Sequence, residues 1–291
     1  MINLKKSPVR KSLILLFAMT ATTLFSGCEK KEGPVNGLGL QLYSVRDDMH
    51  ANPDSTIRLI GKIGYNFVEA AGYADGKFYN MEPEAFRNLV ESNGMQFLGS
   101  HCGQAVPDSL NWDSVMEWWD VCIAAHKKAG VKYIVQPFMD NVGYESLEGL
   151  QRYCEYFNMV GQKCNDAGIR FGYHNHNHEF DSLQGTVIYD YLLQNTDPEK
   201  VMFQLDLYWI MEGGANTVEY LEKYPGRFGS YHIKDEMELG ESGKMDFQPA
   251  FDLAATAGVQ YFVVEVERYS LPPVESVTKS YEYLKKIGFI N

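Results

Sequence analysis

Asp206, His232 and Glu265 are the residues of this sequence whose types and placement point most directly to chemistry. Each lies at or near the end of a short apolar run, at 202–207, 228–233 and 261–265, as side chains at the ends of buried strands do. Polar residues recur at the same kind of position along the chain: Gln41 and Tyr43, Glu69, His101, Gln136, then His174, Asn175 and His176. Five of the seven histidines, His101, His174, His176, His178 and His232, fall in these windows, whereas His50 and His126 read as a loop and a helix residue. Any one such histidine is equally well explained as a hydrogen-bonded core residue. Two carboxylates and an imidazole brought to one mouth are a different matter, because their charge goes uncompensated unless a cation sits among them. The set predicts a site for one divalent metal ion.

What must bring these residues together is an alternation of strand and helix marked by a short internal repeat of glycine, apolar, polar and aromatic residues. It occurs at Gly64-Tyr65-Asn66-Phe67, Gly94-Met95-Gln96-Phe97, Gly130-Val131-Lys132-Tyr133, Gly168-Ile169-Arg170-Phe171 and Gly258-Val259-Gln260-Tyr261. Each copy follows a helical pattern and opens an apolar run, as when glycine takes the left-handed position that ends a helix. Helices are predicted over 55–63, 83–92, 112–129, 147–167, 186–194, 217–223, 249–257 and 274–287. Strands are predicted near 38–43, 66–70, 96–100, 132–136, 170–174, 202–207, 228–233 and 261–265. Eight units of about 32 residues fill 38–291, the size of the strand-plus-helix unit of a (β/α)₈ TIM barrel. In such a barrel the C-terminal strand ends carry the site, where the polar residues gather. A doubly wound open sheet would alternate similarly, but its glycine fingerprint is missing.

The chain has 291 residues, 45% hydrophobic and 22% charged, enough for one large barrel. A formal charge of -12 argues against nucleic acid as a partner. The N-terminus departs from the rest: Lys5, Lys6, Arg10 and Lys11 precede an apolar run over 13–25, and Leu24-Phe25-Ser26-Gly27-Cys28 follows. That order is one of an export signal, too short for a membrane span. It resembles a bacterial lipoprotein signal, which implies lipidation of Cys28. The expected organisation is a signal peptide over 1–27, a tether over 28–37 and a single barrel over 38–291. The barrel is expected outside the cytoplasm, in the periplasm or at the cell surface, and attached to the membrane only through lipid. Of the other cysteines, Cys154 and Cys164 share a predicted helix about 15 Å apart, beyond disulfide reach. No CxxC occurs, so neither a thiolate zinc site nor a thioredoxin-like site is indicated.

Several motifs carry a family resemblance: Gly172-Tyr173-His174-Asn175-His176-Asn177-His178-Glu179-Phe180, Leu205-Asp206-Leu207-Tyr208-Trp209, His232-Ile233-Lys234-Asp235, Gly243-Lys244-Met245-Asp246-Phe247 and Val263-Val264-Glu265. With Gly39-Leu40-Gln41-Leu42-Tyr43-Ser44-Val45-Arg46 and Val68-Glu69, they resemble the xylose isomerase-like TIM barrel family, the sugar phosphate isomerase/epimerase group of the AP endonuclease 2-like superfamily. The likeness covers almost everything after residue 37. It implies one Mn, Mg, Co or Zn ion held by Glu, Asp, His and Glu from strands five to eight. Asp206, His232 and Glu265 match that pattern directly. On the fifth strand His174 stands where many relatives carry the acid. Glu179 on the following loop is the favoured ligand, with His174 or His176 as the substitute.

The chemistry such a site implies is proton transfer next to a sugar carbonyl. A cation on the carbonyl stabilises the enediolate formed when the α-proton leaves, and a positioned base takes the proton. Glu179 and Glu265 are the expected acid/base pair, with His101, His176, Lys234 and Glu69 contacting substrate. Export favours an unphosphorylated sugar or keto-sugar. Two other readings are an elimination that releases the aglycone from 3-keto-glycosides, and a carbohydrate-binding lipoprotein without catalysis, with Trp118 and Trp119 as a sugar platform. An endonuclease IV type of activity is disfavoured by charge and by Trp209 where a histidine ligand would stand. Which sugar, which metal and whether the chain forms a homo-oligomer are left open.

Overall fold

The computed structural model describes residues 37–290, with Met1. The expected signal peptide, Cys28 and nearly all of the tether lie outside the described residues. Eight parallel strands close into a barrel: β1 (Gly39–Gln41), β2 (Phe67–Ala70), β3 (Gln96–His101), β4 (Tyr133–Gln136), β5 (Arg170–His174), β6 (Val201–Asp206), β7 (Phe228–Lys234) and β8 (Tyr261–Glu265). Each strand pairs with its neighbours in sequence, and β8 pairs with β1. The main helices are α1 (Pro53–Ile63), α2 (Pro83–Ser92), α3 (Trp112–Ala129), α4 (Leu147–Asp166), α5 (Ile188–Asn195), α6 (Thr217–Lys223), α7 (Gln248–Asp252), α8 (Ala254–Ala257) and α9 (Pro273–Lys286). The predicted TIM barrel is the observed architecture. Among the described residues no helix is long and apolar enough to cross a membrane.

Local sequence sets the element boundaries. Asn52 starts α1 by accepting from the Ser55 amide, with Pro53 at the first helical position, and Ser146 starts α4 by accepting from the Gly149 amide. The five repeated glycines that precede strands all have φ between +77° and +120°. At Gly94 and Gly168 a Cβ would meet open space, so the backbone angle alone requires glycine there.

The barrel interior has two levels. Its lower part is plugged by Phe67, Leu98, Tyr133, Val135, Met202, Tyr261 and Val263, packed as a small cluster of their own. Gly99 makes room for this plug, since a Cβ there would come within 2.1 Å of the Tyr133 ring. The larger apolar core fills the layer between strands and helices. The polar residues occupy the upper level, at the C-terminal strand ends.

Three local expectations are corrected. The helix expected from residue 186 begins at Ile188, because the β-branched Thr186 and Val187 pair with Leu183 and Ser182 in a hairpin. The helix expected over 249–257 breaks at Leu253. His50 closes the short helix Arg46–Ala51 and is not in a loop. A second hairpin, Tyr73–Ala74 with Lys77–Phe78, follows β2.

Candidate active site

Strand register brings the polar side chains to one level. Asp206 is paired with His232, Lys234 with Glu265, and Gln204 with both His174 and Ser230. Because side chains alternate along a strand, Gln204 and Asp206 point the same way, as do Ser230, His232 and Lys234. One donor atom each from His174, Asp206, His232 and Glu265 lie within 4.8 Å of one another, and all four residues are buried. His101 approaches His174 and His232 as closely. Its Nε2, however, is taken by Gln204 Oε1 at 2.6 Å and Glu69 Oε1 at 3.0 Å.

The hydrogen bonds around the quartet leave donor atoms pointing inward. Asp206 Oδ1 caps the helix Leu207–Glu212 by accepting from the Tyr208 and Trp209 amides at 2.9 and 2.8 Å. Asp206 Oδ2 is buried without a hydrogen-bond partner and lies 3.9 Å from His174 Nε2, the imidazole nitrogen that faces it. His232 Nε2 lies 2.7 Å from Glu69 Oε1, which turns Nδ1 toward Glu265 Oε2 at 3.3 Å and Asp206 Oδ2 at 4.0 Å. A carboxylate that orients an imidazole by its far nitrogen is the usual support of a metal-ligating histidine. The electrostatics agree with a site short of positive charge. Burial pushes the Asp206 carboxyl up to about 7, against Lys234 and His232. Burial opposes protonation of His232, but Glu265 and Glu69 outweigh it and bring its pKa up to about 10. The residues present fit a divalent ion.

Above the quartet lies a cavity of about 310 Å³ whose walls include Tyr43, His101, His174, His176, Glu265 and Glu267. Lys234 stands at its edge, its Nζ 3.2 Å from Glu267 Oε2, 3.8 Å from Glu265 Oε2 and 5.6 Å from the centre of the Trp209 ring. The ammonium is only 2% exposed. Burial lowers the pKa of His176, with Glu179, Glu265 and Glu267 opposing, so the ring is neutral and can accept a proton.

Two of the expected site residues lie outside the quartet. Glu179 is buried but is outside the quartet; its Oε1 accepts from the hydroxyls of Tyr144 and Tyr173, and its Oε2 from the His176 amide at 2.8 Å. With both oxygens engaged, it holds the loop that carries His176, and the β5 residue within the quartet is His174. Glu69, expected on the substrate, is fully buried. It accepts from Gln41, His232, His101 and Gln204, and it is not among the named residues of the cavity wall.

The remaining candidates divide. His101, His176 and Glu265 line the cavity, whereas His178 is largely exposed and faces Asp181 at 3.8 Å. Gln136 turns its amide to the Phe138 carbonyl. Trp119 is wholly buried against Phe171 and donates to the Tyr156 hydroxyl, so the Trp118 and Trp119 pair belongs to helix packing and forms no sugar platform. Gln204 and Trp209 were not singled out as site residues from the sequence. Gln204 was detectable as a polar residue two positions before Asp206 on the same strand face, while Trp209 enters through the turn that Asp206 caps.

The family described as xylose isomerase-like TIM barrel matches residues 57–287. The chain is 26% identical over 155 residues to an inosose dehydratase from Geobacillus thermodenitrificans (strain NG80-2), a match covering 44% of this chain and 51% of that protein. It is 22% identical over 241 residues to an inosose dehydratase from Geobacillus kaustophilus (strain HTA426), covering 71% of this chain and 72% of that one. The match thus spans about half the length of the first of these curated relatives. Among solved structures, a sugar phosphate isomerase/epimerase from Parabacteroides distasonis ATCC 8503 superposes with a TM-score of 0.82 at 30% identity, covering 88% of this chain and 100% of that one.

Proposed function

Since the chain belongs to the xylose isomerase-like TIM barrel family, we propose that it is an enzyme acting on a sugar or related polyhydroxylated carbonyl compound, with one divalent ion, by proton transfer at the carbon next to the carbonyl. The observation that carries this reading is the inward convergence of His174, Asp206, His232 and Glu265, with Asp206 Oδ2 buried and without a hydrogen-bond partner. These four would hold the ion. When bound, it would supply Lewis-acid stabilisation of negative charge on the substrate oxygen.

The chain's own groups supply the rest. His176, neutral through burial, takes or returns the proton from the β5 side of the cavity, and Glu265 with Glu267 does so from the β8 side. A proton removed by one wall and returned by the other inverts a centre; a proton returned to the neighbouring carbon isomerises the substrate. Lys234, held by Glu267 and capped by Trp209, donates to the developing oxyanion. His101, fixed by Gln204 and Glu69, presents its other ring edge to substrate hydroxyls. The named walls carry no Arg or Lys, and the charge of Lys234 is paired with Glu265 and Glu267, which favours an unphosphorylated substrate. Removal of water from the carbon beyond the deprotonated one is the second reading, favoured by the inosose dehydratase relatives. Both readings share the first proton transfer.

The test is a screen of aldoses, ketoses and keto-cyclitols in D₂O with the metal-loaded protein. Solvent deuterium in recovered substrate or a rearranged product supports proton transfer. Appearance of a conjugated enone selects elimination. No exchange and no product with any compound of these classes would refute the proposal.

A further inference from the structure

Behind β3, on the far side from the cavity, lies a second cluster that the proposed chemistry does not use. Cys102 follows His101 at the end of β3, and Cys122 and His126 lie one helical turn apart on α3. The Cys102 and Cys122 sulfurs are 3.5 Å apart, and Cys102 Sγ is 3.8 Å from His126 Nε2. His126 Nδ1 lies 2.7 Å from the Cys122 carbonyl oxygen. A carbonyl only accepts, so Nδ1 carries the proton and Nε2 presents its lone pair to Cys102. The imidazole is held between the rings of Tyr73 and Phe78, at 4.9 and 4.8 Å.

The two thiols are unequal. Cys102 is half-buried and Cys122 wholly buried. Burial alone would raise Cys102, but the Cys122 thiol and His126 bring it down to about 5, whereas burial drives Cys122 well above the ordinary thiol range. A reachable thiol beside a base, backed by an inaccessible thiol within sulfur contact, has the arrangement of an attacking and a resolving cysteine. Cys154 and Cys164, on α4, are pushed up by burial, and although Cys164 lies near enough to act on Cys122, its thiol has no imidazole beside it among the contacts described.

We propose that Cys102 and Cys122 are a site of intramolecular disulfide formation by exchange with a small disulfide. His126 Nε2 takes the Cys102 proton, and the thiolate attacks one sulfur of the incoming disulfide, which leaves as a thiolate. Cys122 then attacks the Cys102 sulfur of the mixed disulfide, and its proton goes to the second leaving thiolate. Two protein thiols are oxidised and one external disulfide is reduced to two thiols. The sulfurs must close from 3.5 Å to about 2.05 Å, a movement of under an ångström for each. A metal is the weaker reading of this cluster, because among the described residues only these three donors meet and aromatic rings cover the imidazole.

The experiment treats the native full-length protein with oxidised glutathione and maps cysteines by alkylation, digestion and mass spectrometry. The expected result is a Cys102 to Cys122 cross-linked peptide, unmodified Cys154 and Cys164, and an unfolding midpoint shifted upward by closure of the intervening loop. Cys122→Ser should stop at a glutathione adduct on Cys102, which shows which sulfur attacks. The proposal is overturned if wild type also stops at that adduct, if Cys102 stays free, or if a different pair is joined. It is equally overturned if untreated protein holds a metal equivalent that protects both thiols and is lost in Cys122→Ser.

Discussion

Glu69→Gln isolates the support of the candidate metal site without touching a donor atom. In the native protein Glu69 Oε1 accepts from His232 Nε2 at 2.7 Å, His101 Nε2 at 3.0 Å and Gln41 at 2.7 Å, and Oε2 accepts from Gln204 at 2.8 Å. Burial alone would raise its pKa, but His101 and His232 hold it well below the ordinary carboxylate range, so it is an anion. A carboxamide has nearly the same shape but only one accepting oxygen, and its NH₂ would face donors already directed at it. With its one oxygen kept on His232, the amide is an uncharged and weaker acceptor and its NH₂ opposes Gln204 Nε2, so His232 loses the anion that holds its proton on Nε2 and its Nδ1 free toward Asp206 and Glu265. Loss of such an outer partner weakens metal binding about 10- to 100-fold, or roughly 1.4 to 2.8 kcal/mol. Titration calorimetry with Mn²⁺ or Co²⁺ reads this directly, and circular dichroism on the same samples separates it from unfolding. A folded Glu69→Gln protein that binds metal within twofold of wild type refutes the reasoning, since His232 would then not depend on Glu69 for its orientation.

Other expectations follow from the same geometry. His174→Ala, Asp206→Ala and His232→Ala should each abolish stoichiometric metal, measured by elemental analysis, together with proton exchange. Glu179→Gln should keep its metal while turnover falls, because its oxygens hold the His176 loop and lie outside the quartet; loss of metal in this variant would return Glu179 to the donor set. Glu238 accepts from the Ser270 amide and from the hydroxyls of Ser270 and Ser276. Burial opposes ionisation there, but these bonds bring its carboxyl down to about 2 from the ordinary 4.5. Its stabilisation is thus complete above the unfolded value and is lost as pH falls toward the folded one. Acid titration followed by fluorescence should show Glu238→Gln less stable than wild type at neutral pH and the gap closing toward pH 2. Mass spectrometry of mature protein from its host should find lipid on Cys28; an intact Met1 would refute that proposal.

How much could be read from the sequence depended on whether a residue's role is local. The joint glycines announced the barrel because each is fixed by one backbone angle at a helix end; one of them, Gly258, precedes the strand that carries Glu265, whereas Asp206 and His232 were legible as polar residues at the ends of apolar runs. The two hairpins went unseen because two-residue strands have no periodicity to detect. Glu179 is engaged by Tyr144, 35 residues before it, and by Tyr173 on the preceding strand. Tyr173 stands in the motif around Glu179, but Tyr144 lies outside it and nothing in the motif points to it. Glu69 was read correctly as inward-facing, but the sequence does not give depth in a barrel, and depth separates a residue that touches substrate from one that holds a ligand. The link between Glu69 and His232 joins residues 163 positions apart.

Depth also decides the charge state of the site, and with it the force of the metal argument. Asp206, Glu265 and Glu69 are buried acids facing the buried cations of His232 and Lys234. Without another cation, burial raises the Asp206 carboxyl to about 7, and Glu265 and Glu69 raise His232 to about 10 against its burial. A divalent ion among these donors would replace the protons that these shifts favour and satisfy Asp206 Oδ2, which no protein hydrogen bond does. Glu265 is already held down to about 2 by His232 and Lys234, against its burial, so it is ionised and ready to bind without losing a proton. The same quartet seen only as residue types is a list of acids and histidines; its burial and its unsatisfied Asp206 oxygen make a cation the simplest resolution of both charge and hydrogen bonding.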